Sequence, residues 1–250
     1  MTISINPIEG LPLIKPGDDL PALIVDAIRQ SGLELATGDV LVICQKVVSK
    51  AEGRIADLTP IQPSVLANAI AATTSGKDPR AVEVILRETT RIVRMDRGHL
   101  IVETGPGWVC ANAGVDESNN IGPDTVILLP RDPDASAEAI RRRVRETLAV
   151  EVAVIISDTF GRPFREGLLD IALGVAGMDP FLDERGQYDL NGRELHHTIL
   201  AAADALAATA GLVMRKGAGI AAAHVSGFEF TAGDGNGRRL VRSREFDLFR

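Results

Sequence analysis

The sequence predicts a mixed α/β (α+β) fold, and three observations carry that prediction. Residues 39–44 (DVLVIC) and 152–156 (VAVII) are short, almost wholly apolar runs rich in β-branched side chains, the pattern of strands buried on both faces. Between them lie stretches with helical spacing: Leu20, Leu23, Ile24, Ala27 and Ile28 after Asp19, and Ile140, Val144 and Leu148 after Asp134. Residues 99–103 (HLIVE) and 108–111 (WVCA) flank Gly105-Pro106-Gly107 as the arms of a hairpin.

The other elements follow in chain order. Gly10-Leu11-Pro12-Leu13-Ile14 makes an apolar turn before the first helix, which runs from Asp19 to a stop at Gly32. Val47 and Val48 extend the 39–44 strand, and residues 50–54 (KAEGR) turn the chain. Residues 64–72 read as a helix, and Asp78-Pro79 starts another with an N-cap acid and a proline in the first turn; Val82, Ile85 and Leu86 form its apolar face. Residues 112–120 (NAGVDESNN) form a polar loop, and 125–129 a short strand. Asp134 caps a helix through Leu148, on which Arg141, Arg142, Arg143 and Arg145 read as a solvated face. Residues 180–189 form an irregular loop, 194–210 an alanine-rich helix stopped by Gly211, and 221–225 a last strand. The order is too irregular for a barrel or a doubly wound sheet, and there is no internal repeat, low-complexity segment or linker.

Composition narrows the function classes. With 250 residues, 45% hydrophobic and 24% charged, the chain has enough material for a large core and reads as a soluble globular protein. A net charge of −7 argues against general nucleic-acid or membrane-surface binding but leaves room for a local basic pocket. The two cysteines, Cys44 and Cys110, lie in apolar runs and read as free thiols. No signal-peptide pattern and no bilayer-length apolar run is present, so a cytoplasmic location is expected.

The densest chemical signal is residues 152–167 (VAVIISDTFGRPFREG). They read as a buried strand stopping at Ser157-Asp158-Thr159, followed by a loop carrying Arg162 and Arg165. A carboxylate where a buried strand meets solvent suits a hard divalent cation, and guanidinium groups suit phosphate or carboxylate. Asp116 and Asn119 occupy a second loop after a strand. Asp116 and Asp158 can share a metal or metal pair for phosphoryl chemistry, or Asp116 and Asn119 can simply shape a turn. There is no P-loop, Rossmann glycine fingerprint, zinc spacing or nucleophile elbow. His196 and His197 are adjacent on a predicted helix and diverge; His99 and His224 read as structural; Trp108 and Phe160 read as core.

Six segments stand in fixed order: GLPLI at 10–14, GDVLVICQKVVSKAEGR at 38–54, VCANAGVDESN at 109–119, VIISDTFGRPFREG at 154–167, NGRELHHT at 191–198 and HVSGFE at 224–229. Along nearly its whole length the chain resembles the coenzyme F420-0:L-glutamate ligase family, the γ-glutamyl ligases of F420 biosynthesis. The resemblance implies one module over residues 1–250 without the nitroreductase-like extension of some relatives, a fold of two interlocked lobes, and a homodimer. It implies ligation of L-glutamate to F420-0 at the expense of GTP, through an acyl phosphate, with further γ-linked glutamates in some cases. The resemblance also implies a requirement for Mg2+ or Mn2+, with K+ assisting. Carried over by motif, Asp116, Asp158 and Thr159 are metal-site positions, and Leu11, Pro12, Leu13, Ile14, Gln45, Lys50 and Asn119 are nucleotide positions. Arg162, with Asp116 and Asp158, is assigned to catalysis as a cation for phosphate or for a substrate carboxylate.

One segment departs from the family pattern. Relatives commonly read Met-Gly, an acid or amide, a glycine-rich loop and Ile-Pro; here stands Met214-Arg215-Lys216-Gly217-Ala218-Gly219-Ile220-Ala221. Lys216 replaces a metal-binding acceptor, and a protonated lysine ligates no cation. Lys216 then takes over the charge role of the second metal, or the nucleotide is held differently, or the activity has been lost or changed. An arginine often found before Gly227 is also missing. The alternatives are a ligase for another acidic acceptor, a metal-dependent phosphohydrolase, or a binding paralogue without turnover.

Overall fold

The computed structural model describes residues 2–73, 76–96, 98–118 and 122–248, with Lys216 described by its backbone alone. The first half holds β1 (Ser4–Pro7), α1 (Leu20–Gln30), β2 (Val40–Cys44), α2 (Gln45–Ala51), β3 (Ile55–Asp57), α3 (Val65–Thr73), α4 (Pro79–Arg87), β4 (Thr89–Asp96), β5 (His99–Thr104) and β6 (Val109–Ala111). The second holds β7 (Thr125–Ile127), α5 (Pro133–Leu148), β8 (Ala153–Arg162), β9 (Arg165–Ala176), β10 (Leu182–Asp183), β11 (Ile199–Leu200), α6 (Ala202–Ala210) and β12 (Ala222–Ser226).

The fold is α/β, organised on a five-stranded sheet in the order β1-β12-β2-β8-β9. β2 and β8, the two apolar runs, are its one parallel pair; the other neighbours are antiparallel. Alternation sends Leu41, Ile43, Val154 and Ile156 into a core with α1 and α5, and Val40, Val42, Ala153 and Ile155 into a core with α6. Both faces are covered, which explains why the runs read as continuous apolar sequence. A smaller unit carries the antiparallel sheet β4-β5-β6 and the pair β3-β7, packed with α3 and α4. Both cysteines are free, and no helix among the described residues is long and apolar enough to cross a membrane.

The structure corrects several expectations. β8 does not stop at Ser157; it runs on to Arg162 and turns back into β9, which the sequence reading did not anticipate. Cross-strand hydrogen bonds rather than burial hold that outer half, so it lacks the apolar signature. Val47 and Val48 are helical: Gln45, Val48 and Ser49, the buried residues of α2, keep i, i+3, i+4 spacing, and the adjacent valines only mimicked a strand. The alanine-rich helix starts at Ala202 rather than 194, because Ile199–Leu200 pairs with Leu182–Asp183; His196 and His197 are exposed and off the helix. The α5 cap is Asp132, whose Oδ1 accepts from the Ala135 N–H at 3.0 Å.

Asp134 does something else. Its Oδ1 accepts the N–H groups of Val175 at 2.8 Å and Gly237 at 2.7 Å, tying α5 to β9 and to the C-terminal segment. Asp134→Ala strands two backbone donors, each worth about 1–3 kcal/mol, whereas losing the Asp132 cap costs about 1 kcal/mol. Urea unfolding is therefore expected to show Asp134→Ala as clearly less stable than Asp132→Ala. Equal midpoints would contradict the tie.

Candidate active site

β2 and β8 end together, with Cys44 opposite Ser157. Crevices beyond the carboxyl ends of strands are where open α/β sheets take ligands. The chain passes from β2 straight into α2, whose first residue, Gln45, is only 1% exposed. One turn on, the buried Ser49 hydroxyl donates to Gln45 Oε1 at 2.8 Å. The carboxamide oxygen is thereby occupied and its NH2 is left to donate; the Gln45 side chain hydrogen-bonds Asp158. Burial pushes the Asp158 carboxyl up to about 7, against the Thr159 backbone N–H and Gln45, and the charges of Asp116 and Asp170 push the same way as burial.

Asp116 reaches the same place from the smaller unit. It exchanges backbone hydrogen bonds with Ile127, 3.0 Å from its N–H and 2.9 Å to its carbonyl. The approach is a left-handed turn: Asn112, Ala113 and Gly114 have φ of 54°, 55° and 70°. Alanine tolerates this poorly, so the surroundings must enforce it. Lys77 Nζ donates to Asn112 Oδ1 at 2.7 Å, and a Cβ on Gly114 would stand 2.6 Å from Leu129. Asp116 Oδ2 accepts from Lys46 Nζ at 2.7 Å, and Oδ1 from the Ser118 N–H at 2.6 Å. Burial alone would raise this carboxyl, but Lys46 and Ser118 outweigh it and hold it below the ordinary carboxylate value.

A third acid, Asp170, faces Thr159 across the β8–β9 ladder and accepts its hydroxyl at 2.6 Å. The Thr159 hydroxyl is thus spent on Asp170, and its link to the acid pair runs through that carboxylate. Gly211 at the end of α6 gives Asp170 room, since a Cβ there would sit 2.8 Å from Oδ2. Arg162 is not brought to the acids. It lies four residues beyond Asp158 on an extended strand, roughly 13 Å away, and its guanidinium donates to the Glu166 carbonyl at 2.5 Å near the hairpin tip.

Beside the acids opens a cleft of about 710 Å³. Leu11, Pro12, Leu13 and Ile14 line one side, Lys46 and Lys50 of α2 another, and the stretch from Met214 to Ala221 a third. Lys50 has no ion pair among the described residues; burial lowers its pKa and the nearby Lys46 charge lowers it further. The backbone of Lys216 opens a short 3-10 turn, Lys216–Ala218, between the lining residues Arg215 and Gly219. Asn119 lies outside the described residues. The geometry therefore gathers Leu11–Ile14, Gln45, Lys50, Asp116, Asp158 and the altered loop, and leaves Arg162 apart.

Sequence reasoning missed Lys46 and Asp170. Lys46 follows Gln45 directly, and its place just past a buried strand end was the available signal; Asp170 had none without β9. His224 is structural, its Nε2 2.7 Å from Asp39 Oδ2 in the interior. Trp108 packs against Leu129 and Leu173 in the core; with Phe160 and Asp204 it lines a separate cavity of about 180 Å³. Burial raises the Cys44 thiol to about 11, which disfavours the thiolate.

The family model described as F420-0:Gamma-glutamyl ligase matches residues 10–227. A coenzyme F420:L-glutamate ligase of Methanothermobacter thermautotrophicus is 48% identical over 253 residues, covering 100% of both chains. Proteins of that name from Methanopyrus kandleri and Archaeoglobus fulgidus are 48% and 44% identical, covering 100% of this chain and 98% and 97% of their own.

The raised Asp158 carboxyl makes a signed prediction. Unfolded, this group ionises near pH 3.9; folded, it holds its proton up to about 7. The folded state binds the extra proton across that window, so this group's contribution to stability falls as pH rises from about 4 to 7. In urea unfolding without divalent metal, the stability of the native protein minus that of Asp158→Asn is expected to decline through the window and level off above it. A difference that rises with pH would overturn the assignment.

Proposed function

The chain belongs to the F420-0:gamma-glutamyl ligase family, and from that membership we propose that it joins L-glutamate to coenzyme F420-0 at the expense of GTP. A carboxylate oxygen of F420-0 attacks the γ-phosphorus of GTP, GDP leaves, and an acyl phosphate forms. The glutamate amine, once deprotonated, attacks the acyl carbon, and phosphate departs with the C–O bond electrons as the amide forms. Further glutamates add through the γ-carboxylate by the same two steps.

The observation that carries the reading is the pairing of two acids with a basic cleft. Asp116 and Asp158 come from different units to one place, next to a cleft lined by Lys46 and Lys50. Among the described residues no three His, Cys, Asp or Glu side chains form a metal cage. Two carboxylates that leave the remaining positions to water and phosphate oxygens suit Mg2+ or Mn2+ at a nucleotide site. These acids would hold the cation, with Thr159 acting by orienting Asp170. When bound, the cation offsets charge on the phosphate oxygens. Lys50 supplies a point charge to phosphate, Leu11 to Ile14 hold the nucleotide, and Gln45, fixed by Ser49, aims Asp158. Potassium assistance and a cytoplasmic setting belong to the same reading. So does a homodimer, in which the β8–β9 ribbon, with Phe164 and Leu168 exposed, offers an apolar contact.

Mass spectrometry of F420-0 incubated with protein, L-glutamate, GTP and Mn2+ is expected to show products heavier by glutamyl units only when GTP is present. Asp158→Asn should abolish them, by about 100-fold or more, with an unchanged circular dichroism spectrum. Phosphate release without an amide product would favour the phosphohydrolase instead.

Lys50→Ala is expected to weaken GTP by about tenfold, the loss of one charge-assisted contact, and to leave F420-0 affinity unchanged. Calorimetric titration of each ligand checks this, and an unaltered GTP affinity would remove Lys50 from the nucleotide site.

A further inference from the structure

We propose that Lys46 is an exchangeable internal counter-ion: it neutralises Asp116 until a divalent cation claims that carboxylate, then turns to a nucleotide phosphate in the adjoining cleft. The inference rests on the nucleotide-and-metal reading above and deepens it by naming the residue that couples the two ligands.

The geometry leaves Lys46 no spare donor where it stands. Its three N–H groups meet three acceptors, Asp116 Oδ2 at 2.7 Å, Ser118 Oγ at 2.8 Å and the Ser118 carbonyl at 3.1 Å. Asp116 accepts at both oxygens, Oδ2 from Lys46 and Oδ1 from the Ser118 N–H. A cation at Oδ2 competes with the ammonium for the charge of that oxygen. A dication bound at that oxygen would stand within a few ångströms of a positive charge in a pocket where Lys46 is 12% and Asp116 28% exposed, so repulsion is weakly screened.

Lys46 also has somewhere to go. Its side chain already lines the cleft, one helical turn from Lys50, whose ammonium feels its charge. Gln45, the residue before it, is anchored by Ser49 and Asp158, so α2 stays put while a flexible four-carbon stem re-aims the ammonium. Freed from Asp116, that charge offsets a phosphate. Metal binding thereby improves the nucleotide site, and by linkage nucleotide improves the metal site to the same degree.

Calorimetric titration of the full-length protein with Mn2+ alone, and with Mn2+ plus a non-hydrolysable β,γ-imido GTP, tests the exchange. Lys46→Met keeps the stem and removes the charge; Lys46→Gln is a second neutral variant in case the first does not fold. Either is expected to bind Mn2+ about tenfold or more tightly than the native protein without nucleotide. Either should also lose most of the increase in Mn2+ affinity that the GTP analogue produces in the native protein. Unchanged or weaker Mn2+ binding, with that increase intact, would overturn the proposal. Asp116→Asn separates the two levels: if it loses Mn2+ while the Lys46 variants gain nothing, the counter-ion role alone fails. If it binds Mn2+ like the native protein, the metal reading fails and the proposal with it.

Discussion

Two parallel strands covered on both faces must end where their hydrogen bonds can be continued by something else, and the pairing of β2 with β8 sets that point for the whole molecule. The register that puts Cys44 against Ser157 leaves Gln45, which opens α2, and Asp158 of β8 as the next residues of the two segments. β2 resolves its end by entering α2 at once, which buries a glutamine and a serine and presents two lysines to the cleft. β8 resolves its end by leaving the sheet as a ribbon with β9. Asp116 needs only to be delivered to this junction, and the left-handed turn at Asn112–Gly114, with the Ile127 bridge, delivers it.

Asp158 feels the charges of both Asp116 and Asp170, and each of the three acids has different surroundings. Asp116 stays ionised because Lys46 and Ser118 more than offset its burial. Asp158 is kept neutral at low and moderate pH by burial, with a glutamine to orient it. Asp170 accepts the Thr159 hydroxyl and borders a glycine that leaves it space. Opposite protonation preferences on neighbouring acids are a common mark of chemical sites. Here they come from unequal local partners: Asp116 accepts from Lys46, whereas Asp158 has a glutamine and the Thr159 backbone N–H.

What could be read from the sequence follows from where burial writes itself into composition. The runs at 40–44 and 153–156 were legible because a strand covered on both faces must be apolar throughout, and α1, α4 and α5 because each buries one stripe. β9 and the outer half of β8 were not legible: ladder hydrogen bonds hold them, and ladder bonds ask nothing of side chains. Asp116 and Asp158 were visible as acids at strand ends, with family motifs around them. Lys46 was not, because a lysine beside a buried strand looks the same whether it faces solvent or a carboxylate 70 residues away. The distance between Asp158 and Arg162 was misjudged for the same reason as β8, since a loop would have folded the arginine back and a strand carries it off.

The departure from the family pattern at Met214 to Ala221 gains meaning from its position. Arg215, Gly219, Ile220 and Ala221 line the cleft with Lys46 and Lys50, and Cys44 donates its N–H to the Ala221 carbonyl at 2.8 Å. The altered loop is therefore held against the end of β2, on the side of the junction where a polyanion would lie. Arg215 and the two lysines give that wall positive charge, in a protein whose net charge is −7. Positive charge on that wall suits a phosphate and repels a cation. Asp116 and Asp158 lie outside this stretch, so the carboxylates on which the proposed cation depends keep their own partners, Lys46 and Gln45.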